Sequence, residues 1–118
     1  MSNVVPLQQP QQTQQQDPIT DIFQHWQVIQ QKPRARLDIA RRKIIQARLN
    51  DGYSVADLQD AINGCYLDPF YQGDNDRNKA FNDISLILRD AAHVDQFIET
   101  YEQAQAKFAQ MSQPVNQM

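Results

Sequence analysis

Arg-Ala-Arg-Leu-Asp-Ile-Ala-Arg-Arg-Lys-Ile-Ile-Gln-Ala-Arg-Leu-Asn-Asp-Gly-Tyr-Ser-Val-Ala-Asp-Leu-Gln-Asp-Ala-Ile-Asn-Gly-Cys, residues 34–65, decides the fold. It reads as a helix, a glycine turn and a second helix. Asp38 stands where an N-cap belongs, with a carboxylate able to accept the first orphan backbone N–H groups. Gly52 stands where a helix end wants a left-handed residue, a conformation that glycine adopts without steric cost. Ser54 opens the next helix, and Asp57 follows three residues on, the spacing of a reciprocal cap. The same stretch holds most of the positive charge. Between Lys32 and Arg48 lie seven Lys/Arg and one Asp, a balance of +6. Residues 51–118 carry four Lys/Arg and eleven Asp/Glu, a balance of −7, and residues 1–31 add only Asp17 and Asp21. The net charge of −3 therefore hides a dipolar chain.

Outward from this stretch, helical spacing continues on both sides. Asp17-Pro18 opens a first helix, with proline at a position where its missing N–H costs nothing. Ile19, Ile22, Phe23, Trp26 and Ile29 fall on one face, and the helix is expected to end near Lys32, ahead of Pro33. Trp26 reads as core and His25 as exposed. In the second helix, about Asp38 to Asn50, Leu37, Ala40, Ile44 and Ala47 form one apolar strip and Ile45 and Leu49 another. Arg41 and Arg48 fall between the strips. They are expected at the core edge, paired with carboxylates from the third helix or from residues 74–90. Arg42 and Lys43 point to solvent, together with Lys32, Arg34 and Arg36 of the preceding loop. The third helix, Val55 to Cys65, buries Val55, Leu58, Ala61, Ile62 and Cys65, so the one cysteine reads as an inert core thiol.

Residues 67–78 form a turn-rich loop carrying Phe70 and Tyr71. Two readings stay open for these rings: they plug the core from outside, or they offer a contact surface to a partner or a base. Residues 79–110 keep helical spacing, with Ile84, Ile87, Ala91, Val94, Ile98, Tyr101, Gln105 and Phe108 on a heptad seam. They form one long helix, or two broken near Asp90. The distal part, 101–110, is placed to pair with another copy as a homo-oligomer. Residues 1–16 are a glutamine-rich, low-complexity stretch, expected to be a disordered tail or linker, and residues 111–118 are expected to fray. The fold class is thus all-α: a small bundle of four to five helices over 17–110 behind a disordered tail. The glutamine stretch fits a linker to something upstream and a plain solubilising tail equally well.

The chemistry the sequence offers is binding. No run approaches the roughly 20 apolar residues of a membrane span, and no signal sequence opens the chain, so a cytoplasmic location is expected and no membrane partner. One cysteine forms no internal disulfide and no cysteine-based metal site. Residues 74–78 begin like a calcium loop, but Lys79 stands where glycine is required and Ser85 where glutamate is. No glycine-rich phosphate loop is present. No cofactor, no metal and no catalytic residue is expected. The second and third helices have the length and turn of a helix-turn-helix, yet the helix that would enter the major groove offers Asp57, Gln59, Asp60 and Asn63 and no cation. Nucleic-acid contact is expected instead through phosphates, from Lys32, Arg34, Arg36, Arg42 and Lys43, with Arg77 added from the loop. Phe70, Tyr71, Asn75 and Asp76 mark the accompanying partner or base-stacking loop.

One set of strings carries a resemblance: Ile-Phe-Gln-His-Trp at 22–26, Arg-Ala-Arg-Leu at 34–37, Arg-Arg-Lys-Ile-Ile-Gln-Ala-Arg-Leu at 41–49, Asp-Gly-Tyr-Ser-Val-Ala-Asp-Leu at 51–58, Ala-Ile-Asn-Gly-Cys at 61–65, Asp-Pro-Phe at 68–70, Gly-Asp-Asn-Asp-Arg at 73–77 and Phe-Asn-Asp-Ile-Ser-Leu-Ile-Leu-Arg-Asp at 81–90. As a set it resembles the C-terminal domain of bacteriophage and prophage replication-initiation proteins, the replisome organisers and helicase-loader-like proteins. It is more loosely similar to the C-terminal helical domain of DnaD-type primosome proteins. The resemblance implies a non-enzymatic helical module that helps assemble a replication complex, touching single-stranded DNA, the replicative helicase, or both. Full-length relatives carry an N-terminal winged-helix domain that recognises the origin; the glutamine-rich stub that precedes the helical domain here resembles the linker that would join the two parts. The other class of function that the residues allow is an adaptor that self-associates through 84–108 and does not bind DNA.

Overall fold

A computed structural model describes residues 17–111. The glutamine-rich segment and the chain beyond Met111, with the expectations placed on them, lie outside the described residues. The described chain is all helical. It comprises α1 (Pro18–Ile29), α2 (Ile39–Asn50), α3 (Val55–Tyr66), a 3₁₀ turn (Pro69–Gln72), the one-turn α4 (Ile84–Ile87) and α5 (Ala91–Met111).

The caps sit where local chemistry puts them. The Asp17 side chain accepts from Ile19 N, the Asp38 side chain from Arg41 N, and Ser54 and Asp57 exchange bonds in a capping box. After α2, Gly52 is left-handed at φ 109°. Its N–H bonds Leu49 O while Tyr53 N bonds Arg48 O, which closes the helix end. α1 ends by the same geometry at Ile29, three residues before the expected end. Gln31 takes the left-handed position at φ 57°, with Lys32 N bonded to Gln27 O, so the turn is complete before Pro33 is reached.

α3 is the central element, packed against α1 on one side and α5 on the other. Leu58, Ala61, Ile62 and Cys65 are fully buried, and Val55 lies at the edge of their cluster. Trp26 from α1 is fully buried as well, its Nε1 donating to Asn82 O at 2.8 Å. The closest approach is at Gly64. A Cβ placed there would stand 1.8 Å from the carbonyl oxygen of Phe97, so the α5 backbone rests directly on the α3 backbone. α2 is the loosest member. Ile45 alone on it is buried, Ile44 and Leu49 are partly covered, and Ala40 is exposed, so the expected pair of strips shrinks to one residue and its flanks.

Residues 79–110 are neither one helix nor continuously helical. The chain stays irregular through Asp83, because the Asn82 carbonyl is held by Trp26 and the Asn82 amide donates to Gln72 Oε1 at 3.1 Å. Asp83 then caps α4 by accepting from Ser85 N. A second break falls at 88–90, where Asp90 accepts from His93 N at 2.8 Å and starts α5. This restart shifts the seam. The buried positions of α5 are Val94 and Phe97, continuing to the half-buried Tyr101 and Ala104, whereas Ala91 and Gln105 are exposed. Phe97, absent from the expected seam, is among the largest fully buried side chains.

Candidate nucleic-acid interface

The basic segment is built on a stiffened loop. The Gln27 side-chain amide reaches the carbonyl oxygens of Lys32 (3.3 Å), Pro33 (3.4 Å) and Ala35 (3.0 Å), which fixes the 30–38 connection against α1. From this loop Arg34 and Arg36 are exposed and Lys32 is half-exposed, and Arg42 and Lys43 follow on the solvent side of α2. Arg42 Nη1 lies 3.3 Å from Asp17 Oδ2, an exposed pair that is worth little. Among the described residues, Lys32, Arg34, Arg36 and Lys43 form no ion pair with a carboxylate.

Arg41 is the hinge between this segment and the loop that follows α3. It lies 5.2 Å above the Trp26 ring, donates to Arg36 O at 2.8 Å, and donates to Asp83 Oδ1 at 2.6 Å. The bond to Asp83 raises its pKa against the opposing pull of burial. Burial works to raise the Asp83 carboxyl, but the bonds from Arg41 and Ser85 outweigh it and hold that group below the usual carboxylate range. Arg41 thus has the partner in the 74–90 region that its helical position demands. Arg48 differs. Its carboxylate is Asp51, one turn on in its own cap at 2.8 Å, and its reach into the later region ends on Leu88 O at 2.9 Å. A main-chain carbonyl left open by the 88–90 break takes the place of the expected acid.

The loop separates the expected stacking residues. Tyr71 is half-buried, its ring edge-on to Phe97 with centroids 4.9 Å apart, so it plugs the core. Phe70 is 50% exposed and lies beside Phe81, centroids 6.0 Å apart and planes 19° from parallel. The aromatic surface of this loop is therefore the exposed Phe70 with the half-buried Phe81. Sequence spacing placed Phe81 inside a helix and gave no sign of this pairing. Asn75 is occupied within the loop: its amide donates to Phe70 O and Lys79 O, and its Oδ1 accepts from Arg77 N and Lys79 N. Asp76 and Arg77 are exposed, and with Phe70, Asp74, Asn75 and Phe81 they line an open concavity of about 510 Å³. Arg77 thus sits in an acidic setting, on a different element from the 32–43 cations.

Other side chains have settled roles. His25, expected to be exposed, faces α3, with its Nε2 2.8 Å from Asn63 Oδ1, because its edge of α1 runs along the α3 flank. The Cys65 thiol is fully buried, and burial pushes its pKa up to about 12, so it stays a thiol and not a nucleophilic thiolate at neutral pH. Among the described residues, no group of three or more His, Cys, Asp or Glu side chains is placed to hold a metal ion, and no helix is long and apolar enough to cross a membrane. No family model, curated protein or solved structure matches this chain.

Proposed function

We propose that the protein is a non-enzymatic, cytoplasmic accessory module of phage or prophage DNA replication, which contacts single-stranded DNA and the replicative helicase while a replication complex assembles. One observation carries this reading. In a chain of net charge −3, four cations on one stiffened loop and the adjoining helix turn, Lys32, Arg34, Arg36 and Lys43, have no carboxylate partner among the described residues. Unpaired cations and an exposed aromatic, here Phe70, are the equipment of a single-strand binder, which tracks phosphates by charge and bases by their flat faces. The acidic α3 disfavours insertion into a duplex groove, and the set of strings from 22 to 90 adds the replication context by resemblance. A labelled single strand and the same sequence as a duplex, compared by anisotropy at low salt, test the DNA contact, with tighter binding to the single strand expected. Purified replicative helicase titrated onto the immobilised protein tests the protein contact.

A second reading is favoured by α5. Its apolar face continues from Phe97 past the bundle to Phe108 and Met111, which are 64% and 74% exposed. In that reading the chain is an adaptor that pairs with a second copy through this helix. Sedimentation of the full chain and of a version ending at Gln103 separates the two: only the adaptor loses a dimer on truncation.

A further inference from the structure

Phe70 and Phe81 form a wall between two concavities, and the two sides differ in charge. One side is the 510 Å³ concavity lined by Asp74, Asp76 and Arg77. The other, about 250 Å³, is lined by Phe70, Tyr71, Phe81, Leu86, Arg89 and His93, and no carboxylate faces it. The nearest acid, Asp90, is taken up by His93 Nδ1 at 2.8 Å and by Arg89 Nε at 3.6 Å. His93 is thereby held against Asp90, and its ring lines the cleft. Arg89 is 54% exposed at the side chain, and Lys79 Nζ stands 5.9 Å over the Phe81 ring.

We infer that the smaller cleft takes one base of a single strand against Phe70 and Phe81, and that Arg89 on its rim takes the adjoining phosphate. Three features give this occupant. The two rings lie nearly parallel, and the half-exposed Phe70 offers a π face, which every base can stack on. The volume, about 250 Å³, is below the roughly 300 Å³ at which pockets for larger ligands begin, and a single base fits it. Arg89 lies on the side whose lining holds no carboxylate, with Asp90 against it at 3.6 Å, so an anionic backbone runs past residue 89 and away from Asp74 and Asp76. Arg77, on the acidic side, has no part in this contact. The inference rests on the single-strand reading given above and adds a site to it, at the start of α5 and far in sequence from the 32–43 cations.

The test uses the full chain and a fluorescein-labelled thymidine oligonucleotide. Phe70→Leu is expected to weaken binding roughly 5- to 150-fold, the effect of losing one stacked base, with the salt dependence unchanged. Arg89→Gln is expected to weaken binding and to reduce the slope of log affinity against log salt by about 0.7. Both positions are substantially exposed, so both variants should fold, and thermal melts check that. In parallel, thymidine 5′-monophosphate is expected to shift the NMR signals of Leu86 and His93. If both variants bind like the wild type while Arg42→Gln/Lys43→Gln weakens binding, the cleft is wrong and the single-strand reading stands. If the wild type binds no strand at low salt, both fall. A shift at Leu86 and His93 caused by an acetyl-Asp-Phe dipeptide, with none from the nucleotide, would assign the cleft to a protein partner and overturn the proposal.

Discussion

Gly64→Ala should destabilise the protein, although the same change in an ordinary helix interior stabilises. Alanine is better than glycine in a helix by about 1 kcal/mol, because glycine loses more backbone freedom on folding. At Gly64 the added Cβ would lie 1.8 Å from Phe97 O, 2.7 Å from its carbonyl carbon and 3.2 Å from its Cα. All three are backbone atoms, so no rotamer change relieves the contact. Real Cβ contacts begin near 3.0 Å, so α5 must retreat by more than 1 Å from α3. That retreat loosens Leu58, Ile62, Val94 and Phe97 together, all members of one core cluster. Overpacking of this kind costs about 1–3 kcal/mol and occasionally more, and the enforced gap adds to it. After the propensity gain is subtracted, a net loss of about 2 kcal/mol is expected. For a domain of this size that is a fall in Tm of roughly 10 °C. Gly52→Ala is the control. Nothing lies within 4 Å of its Cβ, so only its φ of 109° opposes the substitution, at about 1 kcal/mol, and Gly52→Asn should recover part of that. Thermal melts followed by circular dichroism read all three variants. A Gly64→Ala protein at least as stable as the wild type would refute the close α3–α5 contact.

Three further outcomes are expected. Arg41→Ala should cost about 1–3 kcal/mol, less than a fully buried pair because both partners keep some solvent, whereas Arg42→Ala should stay within about 0.5 kcal/mol. Urea midpoints decide it, and equal values for the two variants would put Arg41 on the surface. The Asp83 carboxyl lies below its unfolded value of about 3.9, so the stability it adds is present above that pH and drains as pH falls through the folded value. Asp83→Asn should therefore flatten the acid limb of urea midpoints measured between about pH 5 and 2. Cys65 should resist iodoacetamide at pH 8 in the native protein and react once urea unfolds it; ready alkylation of the native form would contradict its burial.

The bundle was legible where local chemistry decides it. Asp17-Pro18, Asp38, Gly52 and the Ser54–Asp57 box each act within four residues of chain, and each does what its type dictates. The core-edge place of Arg41 was also readable, since helical phase alone sets it between apolar strips. What escaped depends on contacts between distant residues. The irregular 79–83 segment exists because Trp26, 56 residues earlier, takes the Asn82 carbonyl, and no periodicity in that segment announces it. The cap at Asp90 shifts the phase of α5, so a seam extrapolated from Ile84 kept Val94, the partly buried Ile98 and Tyr101 but missed Phe97, and selected Gln105 where Ala104 turns inward. Gly64 carries no sequence signal of its own, and only the approach of α5 shows why a side chain has no room there. At the candidate site, charge segregation along the chain marked the 32–43 cations. The Phe70–Phe81 pairing and the approach of Arg89 and His93 needed the fold.

The most direct measurement is the salt dependence of single-strand binding, taken by fluorescence anisotropy with the wild type and with Arg42→Gln/Lys43→Gln. Each phosphate neutralised on a single strand contributes about −0.7 to the slope of log affinity against log salt. With not every cation engaged, the wild type should give a slope of about −2 to −3. Removing two cations should flatten it by up to about 1.4, with the thermal melt unchanged. A folded wild-type protein that binds no strand at low salt, or a slope that the double substitution leaves untouched, would contradict the assignment of the 32–43 segment as the phosphate-binding face.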